Sequence, residues 1–332
     1  VCVNAFHGMT AIGYNALCSD TGNSNSSFSS TAVGTCALMS QTGSGCNTAV
    51  GLGSGVCITS GVSNSLFGHC SGACITTGSN NDIIGRFTDF GPAAERNVHV
   101  GTGGPRSAIC CSTGVGHCVL RNATTGCQVA VGAYALKSLT TGYNNTAIGY
   151  QALCTNAVNY GNTAVGFKSL MTTTGCGNTA VGCCTAPVAT TAKWNDIFGA
   201  GAMCCLTDGH SNSGFGNGTL MRLTTGDCNA AFGYSALTFQ NTASKNNAFG
   251  YFAGKSITSG DQNVIMGTIA MCASTTAKAN VAVGNCAMQC ATGAYGSVAI
   301  GYKAMMDHTG YKMYNTSIGS WSLCKVTGQY NT

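Results

Sequence analysis

Apolar and polar positions along the chain recur at a short, nearly fixed spacing. The segments Asn145-Thr146-Ala147-Ile148-Gly149, Asn162-Thr163-Ala164-Val165-Gly166 and Asn178-Thr179-Ala180-Val181-Gly182 are near copies of one another. With the last glycine as an anchor, the pattern runs through nineteen copies from Gly13 to Gly319, eighteen steps averaging 17.0 residues. The residue before the anchor is apolar in every copy, as at Val33, Val50, Val131, Ile148, Val165, Val181, Phe198, Phe215, Phe232, Phe249, Val283 and Ile300. Four residues after the anchor, thirteen copies carry Leu or Met, among them Leu136, Leu153 and Met271. Four residues before it, fourteen carry Asn, including Asn47, Asn64, Asn81, Asn145, Asn162, Asn178, Asn195, Asn212, Asn229 and Asn263.

Each copy thus holds two short apolar segments separated by Gly, Asn and Thr turn chemistry, and neither segment is long enough for a stable helix. A unit of this size cannot bury its own apolar positions and must stack on its neighbours. The pattern predicts an all-β parallel β-solenoid, a β-roll of about nineteen 17-residue coils. The Val/Ile/Phe column is expected to form the continuous core, and at ~4.8 Å per coil the stack would be a rod of roughly 86 Å. Stacked asparagine amides are expected to bond one another up the column, and Asn also favours turns. The anchor glycines point to a corner that needs positive φ or has no room for a Cβ. Gly51-Leu52-Gly53 lacks the helix a phosphate loop requires.

Composition narrows the functional classes. Only 7% of residues are charged, 48 are Gly and three are Pro, while 44% are apolar and the net charge is +5. Disordered polar chains and collagen do not have this balance. No uninterrupted apolar run is long enough for a membrane-spanning helix. One glutamate, Glu95, and eight dispersed aspartates leave few candidates for a hydrolytic carboxylate pair, and fourteen basic residues form no dense run for nucleic acid. Val1-Cys2-Val3-Asn4 has neither an initiator Met nor a signal sequence, and the chain stops partway through its pattern, which suggests a mature product or a piece of something longer. Residues 1–34 read as imperfect repeats with an insertion between Ser19 and Ser30, and residues 35–332 as a continuous solenoid with an irregular segment at 86–121.

Gly296-Ser297-Val298-Ala299-Ile300-Gly301, Ala279-Asn280-Val281-Ala282-Val283-Gly284 and the Asn-Thr-Ala-Ile-Gly copies resemble the YadA-like head repeats of trimeric autotransporter adhesins. Similar repeats occur in bacteriophage tail fibres. The resemblance covers about residues 9 to 323 and implies a left-handed parallel β-roll, a side-by-side homotrimer, and binding rather than catalysis. The period is longer than that of the adhesin head repeat, cysteine is far commoner, and neither an anchor barrel nor a C-terminal chaperone is visible.

The 22 cysteines fall mostly in repeat-specific columns rather than at metal spacings. Equivalent thiols of adjacent coils, such as Cys57 with Cys74 or Cys111 with Cys127, are candidates for disulfide staples in an oxidising place. The other reading is cysteine as a small buried apolar residue. Cys110, Cys111, His117 and Cys118 lack paired metal-ligand spacing, so no metal and no other cofactor is expected. The irregular segment gathers Arg86, Arg96, His99, Arg106 and Arg121, four of the five arginines among them, together with Glu95, Pro92 and Pro105. It reads either as a binding loop on a rigid scaffold or as a solvated, charge-bearing insertion. Trp194, Trp321 and the tyrosines that follow anchors, such as Tyr150, Tyr234 and Tyr251, suggest an outward stripe that stacks on sugars or packs between chains. Asn25, Asn122, Asn144 and Asn217 fit the glycosylation sequon.

The expectation is therefore a non-enzymatic fibrous protein of the extracellular space, cell surface or virion surface, a viral tail fibre or trimeric adhesin that binds a cell-surface glycan or protein receptor. Its first partner would be itself, with no nucleic acid and no membrane insertion. A filament subunit assembling head to tail is the competing class, and a polysaccharide-processing β-helix enzyme a distant third.

Overall fold

The structure, a computed structural model, describes residues 8–19, 29–42, 45–88, 90–155, 157–307, 313–325 and 330–331. Residues 20–28 of the expected insertion, with the Asn25 sequon, and the terminal segments Val1–Asn4 and Gly328–Gln329 lie outside the described residues. Among the described residues there are nineteen short strands and no helix. The chain divides into two compact units, Val1–Gly161 and Asn162–Thr332. The first holds β1 (Thr10–Ile12) to β9 (Thr146–Ile148), and the second β10 (Thr163–Val165) to β19 (Thr316–Ile318). Within each unit, successive strands pair parallel and in register, so that Thr31 faces Thr48 and Ala180 faces Ile197. This is a parallel β-solenoid.

Pairing extends around the coil beyond the three-residue strands. In the second unit the N–H groups of Gly233 and Ser235 donate to Phe215 and Asn217 of the preceding coil, at 2.8 and 2.9 Å, while those of Leu237 and Phe239 donate forward to Ala253 and Lys255, at 3.0 and 2.9 Å. The donors reverse direction between Ser235 and Leu237, which a regular strand would not do. Ser235 and Leu237 accordingly sit at φ 53° and 51°, although a left-handed conformation costs a non-glycine residue about 1 kcal/mol. The ladder bonds on both sides hold these residues there. At anchors inside the stack space adds to the dihedral demand: Gly68 has φ +130°, and a Cβ on it would lie 2.2 Å from the Gly85 carbonyl oxygen of the next coil.

The Val/Ile/Phe column does not fill the core. A strand's period of two puts its first and third residues on one face and its second on the other. The coil turns its second position inward, where Ala32, Ala49, Ala147, Ala180, Ala231 and Ala248 are fully buried. The third-position residues therefore face outward. Val33, Val50, Val131, Val165, Val181, Phe198, Phe215, Phe232 and Val283 are only half-buried, while Ile148, Phe249 and Ile300 are exposed. Phe198, Phe215, Phe232 and Phe249 stack on this outer face with ring centroids 4.7–4.8 Å apart.

The interior is made instead by the mid-strand alanines, by Leu and Met four residues past the anchor, and by a further column of which Ile58, Leu139, Leu206, Leu223 and Ile257 are members. Volumes compensate between columns. Where the mid-strand residue grows to Leu66 or Ile265, the Leu/Met position shrinks to Gly55 or Gly254, on which a Cβ would lie 2.8 Å from Leu66 Cδ1 or Ile265 Cδ1.

The asparagines line a second wall as a hydrogen-bonded ladder. In the first unit Asn64 Nδ2 donates to Asn47 Oδ1 at 3.0 Å and to the Gly78 carbonyl at 3.0 Å, and the Asn64 N–H also donates to Asn47 Oδ1 at 2.9 Å. Asn81 and Asn97 continue it. The second unit repeats it from Asn162 through Asn178, Asn195, Asn212 and Asn229, and Asn263 donates to Asn246 Oδ1 at 2.9 Å. At Ser112 and Gln128 the ladder changes residue type, and Asn145 N–H donates to Gln128 Oε1 at 3.2 Å.

Candidate functional site

The first unit departs from its own regularity at β6 (Val98–Thr102) and β7 (Thr113–His117). Both are five residues long, and their register continues through Gly101↔Gly116 to Thr102↔His117, where other coils have already turned. The chain leaves the extended pair through Gly103-Gly104-Pro105, in which Gly103 has φ +70° and the proline fixes its own φ. The widened corner opens a cavity of about 270 Å³.

Arg86, Arg106 and Arg121 converge on this cavity from three different coils, with Phe87, Thr102 and His117 between them. Thr102 Oγ1 and His117 Nδ1 are 2.8 Å apart, and His117 Nε2 lies 3.3 Å from Cys118 Sγ. Arg121 Nη1 donates to the same sulfur at 3.4 Å, which fixes the guanidinium against a buried thiol. Arg86 lies 5.6 Å above the ring of Phe87, which in turn meets His69 edge-on at 4.8 Å. Among the described residues no carboxylate lines the cavity. The ion pairs among the described residues, His210–Asp208 and Lys278–Asp261, belong to the other unit. The result is a concave, cationic surface with an aromatic wall and two further hydrogen-bonding side chains, Thr102 and His117.

Three of the five residues expected to form a binding loop thus meet, and two do not. Arg96 projects to solvent from a left-handed position, φ 54°, and does not line the cavity. His99 occupies the inward mid-strand position of β6 and is fully buried, with neither ring nitrogen hydrogen-bonded. Burial lowers its pKa to about 4, so the imidazole is neutral. Its ring meets Phe90 edge-on at 5.8 Å and lies against Gly104, beneath the cavity wall. Phe87 and Thr102 were not legible as site residues. Phe87 sits two residues past an anchor, the column that also holds Tyr134, and that spacing was the available signal.

The expected staples are not formed: Cys57, Cys111 and Cys127 are exposed free thiols, which leaves the pairs Cys57–Cys74 and Cys111–Cys127 unmade. In-register stacking keeps equivalent Cβ atoms about one strand spacing apart, ~4.8 Å, whereas a disulfide needs about 3.5–4.5 Å. The thiols gather in other ways. Cys183 and Cys184 sulfurs are 3.6 Å apart, and those of Cys204 and Cys205 3.8 Å. Burial, reinforced by Cys205, pushes the Cys204 thiol up to about 11. Burial and then Cys111 and Cys127 likewise raise that of Cys110. The sequence cluster of Cys110, Cys111, His117 and Cys118 is divided between this thiol group and the arginine cavity. Among the described residues no group of three or more His, Cys, Asp or Glu side chains is arranged to hold a metal ion. Compared with known proteins, the sequence matches no family model and shows no significant similarity to a curated protein.

Proposed function

We propose that the chain is a non-enzymatic fibrous surface protein, the head or shaft of a viral tail fibre or trimeric adhesin, that holds a host or surface receptor at the arginine cavity. The observation that carries this reading is the convergence of Arg86, Arg106 and Arg121 on one concavity in a chain with only 7% charged residues. A scaffold that gathers three of its five arginines at one place, on the coils whose corner is rebuilt, is a scaffold presenting a site.

The outer apolar column supports side-by-side assembly. Val, Ile and Phe recur in register along one face in each unit, and no segment of the described chain covers the Phe198–Phe249 stack on its solvent side, where Phe249 remains 39% exposed. Three copies packing these faces together would remove the column from water. The exposed Tyr234, Tyr251 and Trp321, with Lys303 4.2 Å over the Trp321 ring, offer a further surface for sugars or a neighbouring chain.

Sedimentation of the purified chain tests the assembly, and adhesion of labelled protein to host cells tests the binding. Discrete trimers that dissociate on Phe215→Asp are expected, with adhesion that falls on combined Arg86→Ala and Arg106→Ala substitution. Indefinite head-to-tail polymers would move the reading to a filament subunit. Turnover of a polysaccharide panel would move it to an enzyme.

A further inference from the structure

We infer that the arginine cavity takes a saccharide bearing two or more ester-linked oxyanions, sulfate or phosphate. This deepens the receptor reading and rests on it. The charge count sets the class. Three guanidiniums face one concavity of about 270 Å³, with no carboxylate in its lining among the described residues. One carboxylate or one sulfate would leave most of that charge uncompensated, whereas two or more oxyanions give each planar fork a pair of acceptor oxygens.

The remaining lining describes what carries those anions. Phe87 is half exposed and presents an aromatic face beside Arg86. An aromatic wall suits the C–H face of a sugar ring, and the adjacent guanidinium then meets a substituent at its edge. Thr102 and His117 supply hydrogen-bonding groups 2.8 Å from one another, suited to unesterified sugar hydroxyls. The volume suits one or two sugar residues rather than a peptide segment. Arg121 is pre-positioned by its bond to Cys118, so less side-chain freedom is lost when the ligand binds.

The second unit contains a built-in control. A shallower groove of about 430 Å³ there holds Arg222, already engaged 4.9 Å over the ring of Phe239, with Asn241 and hydroxyl side chains around it. It has an aromatic and a cation but not a cluster of arginines.

The test is calorimetric titration of the full chain with a sulfated heparin tetrasaccharide, its desulfated but still carboxylated counterpart, fructose 1,6-bisphosphate and a polyglutamate peptide. Binding of the sulfated sugar or the bisphosphate is expected, and which of the two binds more tightly identifies the ester. Arg106→Ala should weaken it about tenfold, the loss of one charge-assisted bond, with an unchanged melting temperature, and Arg222→Ala should leave it unaltered. Arg106→Lys should restore only part of it, since an ammonium lacks the fork. Equal binding of the desulfated sugar or of polyglutamate would overturn the ester assignment, as would no binding of any probe. If cell adhesion still falls on Arg86→Ala and Arg106→Ala in that case, the receptor reading survives and the ligand class alone is wrong.

Discussion

His99 of β6 and Gly114 of β7 are register partners in the inward column, and a Cβ on Gly114 would lie 2.8 Å from His99 Nδ1. The two positions share one volume. Elsewhere in the column the same pair is Ala130 with Ala147. Gly114→Ala should therefore cost about 1–3 kcal/mol by overpacking, and His99→Ala about 2–4 kcal/mol by the void it leaves. The double variant rebuilds an alanine pair and should recover part of both losses. Denaturant unfolding of the four proteins measures the coupling. Simple additivity of the two single changes would show that the volumes are independent.

The same histidine gives the fold a pH dependence whose sign is fixed. Its folded pKa, about 4, is below the ordinary 6.5 because burial penalises the imidazolium. Between those values the unfolded chain binds a proton that the folded chain refuses, so stability is full above about pH 6.5 and declines toward pH 4. The expected loss is about 3 kcal/mol. Phe90, Gly104 and Gly114, which surround the ring, carry no titratable group. His99→Leu should flatten the profile, since the column already accommodates Leu66 and Ile83. Unfolding free energies at pH 4.5 and 7.5 for both proteins decide it, and a slope that persists in the variant must come from another group.

Asn212 shows what the polar ladder contributes. Its Oδ1 accepts both the N–H and the Nδ2 of Asn229, at 3.0 and 2.9 Å, and its own Nδ2 donates to Asn195 Oδ1 and the Gly226 carbonyl. Asn212→Ala strands two buried donors and should cost about 2–4 kcal/mol. Asn212→Ser should cost less, because Ser112 and Ser297 already stand in this column and accept the next coil's N–H, at 3.3 and 3.2 Å. Hydrogen exchange at the Asn229 amide reads the effect locally. Equal exchange in the Ala and Ser variants would mean that the ladder bond adds nothing beyond packing.

How far the sequence could be read follows from which constraints act along the chain and which across it. The 17-residue period, the anchors and the asparagine column are legible because every coil imposes the same demand on the same position. The facing of the Val/Ile/Phe column was misread because an apolar residue fits the core and an intermolecular face equally well. Ala180 with Val181 does not announce that the smaller side chain is the buried one. A narrow coil decides it. The site was legible as a concentration of arginines but not as a shape. The grouping of Arg86, Arg106 and Arg121, and the separation of Arg96, depend on the longer β6–β7 pair and the corner it displaces. His99 was read as a site residue because it falls in the irregular segment with the arginines, while the glycines that make room for it, Gly104 and Gly114, sit in neighbouring loops and coils.

Two glycines of the second unit separate the demands of space from those of dihedral angle. Gly216 is an anchor at φ +135°, and a Cβ on it would lie 2.5 Å from the Gly233 carbonyl oxygen. Gly201, two residues past the preceding anchor, has φ +64° and open space where a Cβ would go. Cys184 and Ser235 occupy that same column at φ 52° and 53°, so the backbone there already accepts side chains. Gly201→Ala should therefore cost no more than about 1 kcal/mol, the left-handed penalty alone. Gly216→Ala meets the carbonyl of a residue fixed on both sides by the ladder, since Gly233 N–H donates to Phe215 and Gly250 N–H to the Phe232 carbonyl just before it, both at 2.8 Å. Relief would require moving a coil, and the cost should reach roughly 3 kcal/mol or more. Melting curves of the two variants are the comparison. Equal stability would mean that the anchors are conserved in spacing for their dihedral angle only, and that the stacked coils have more room between them than a 2.5 Å approach allows.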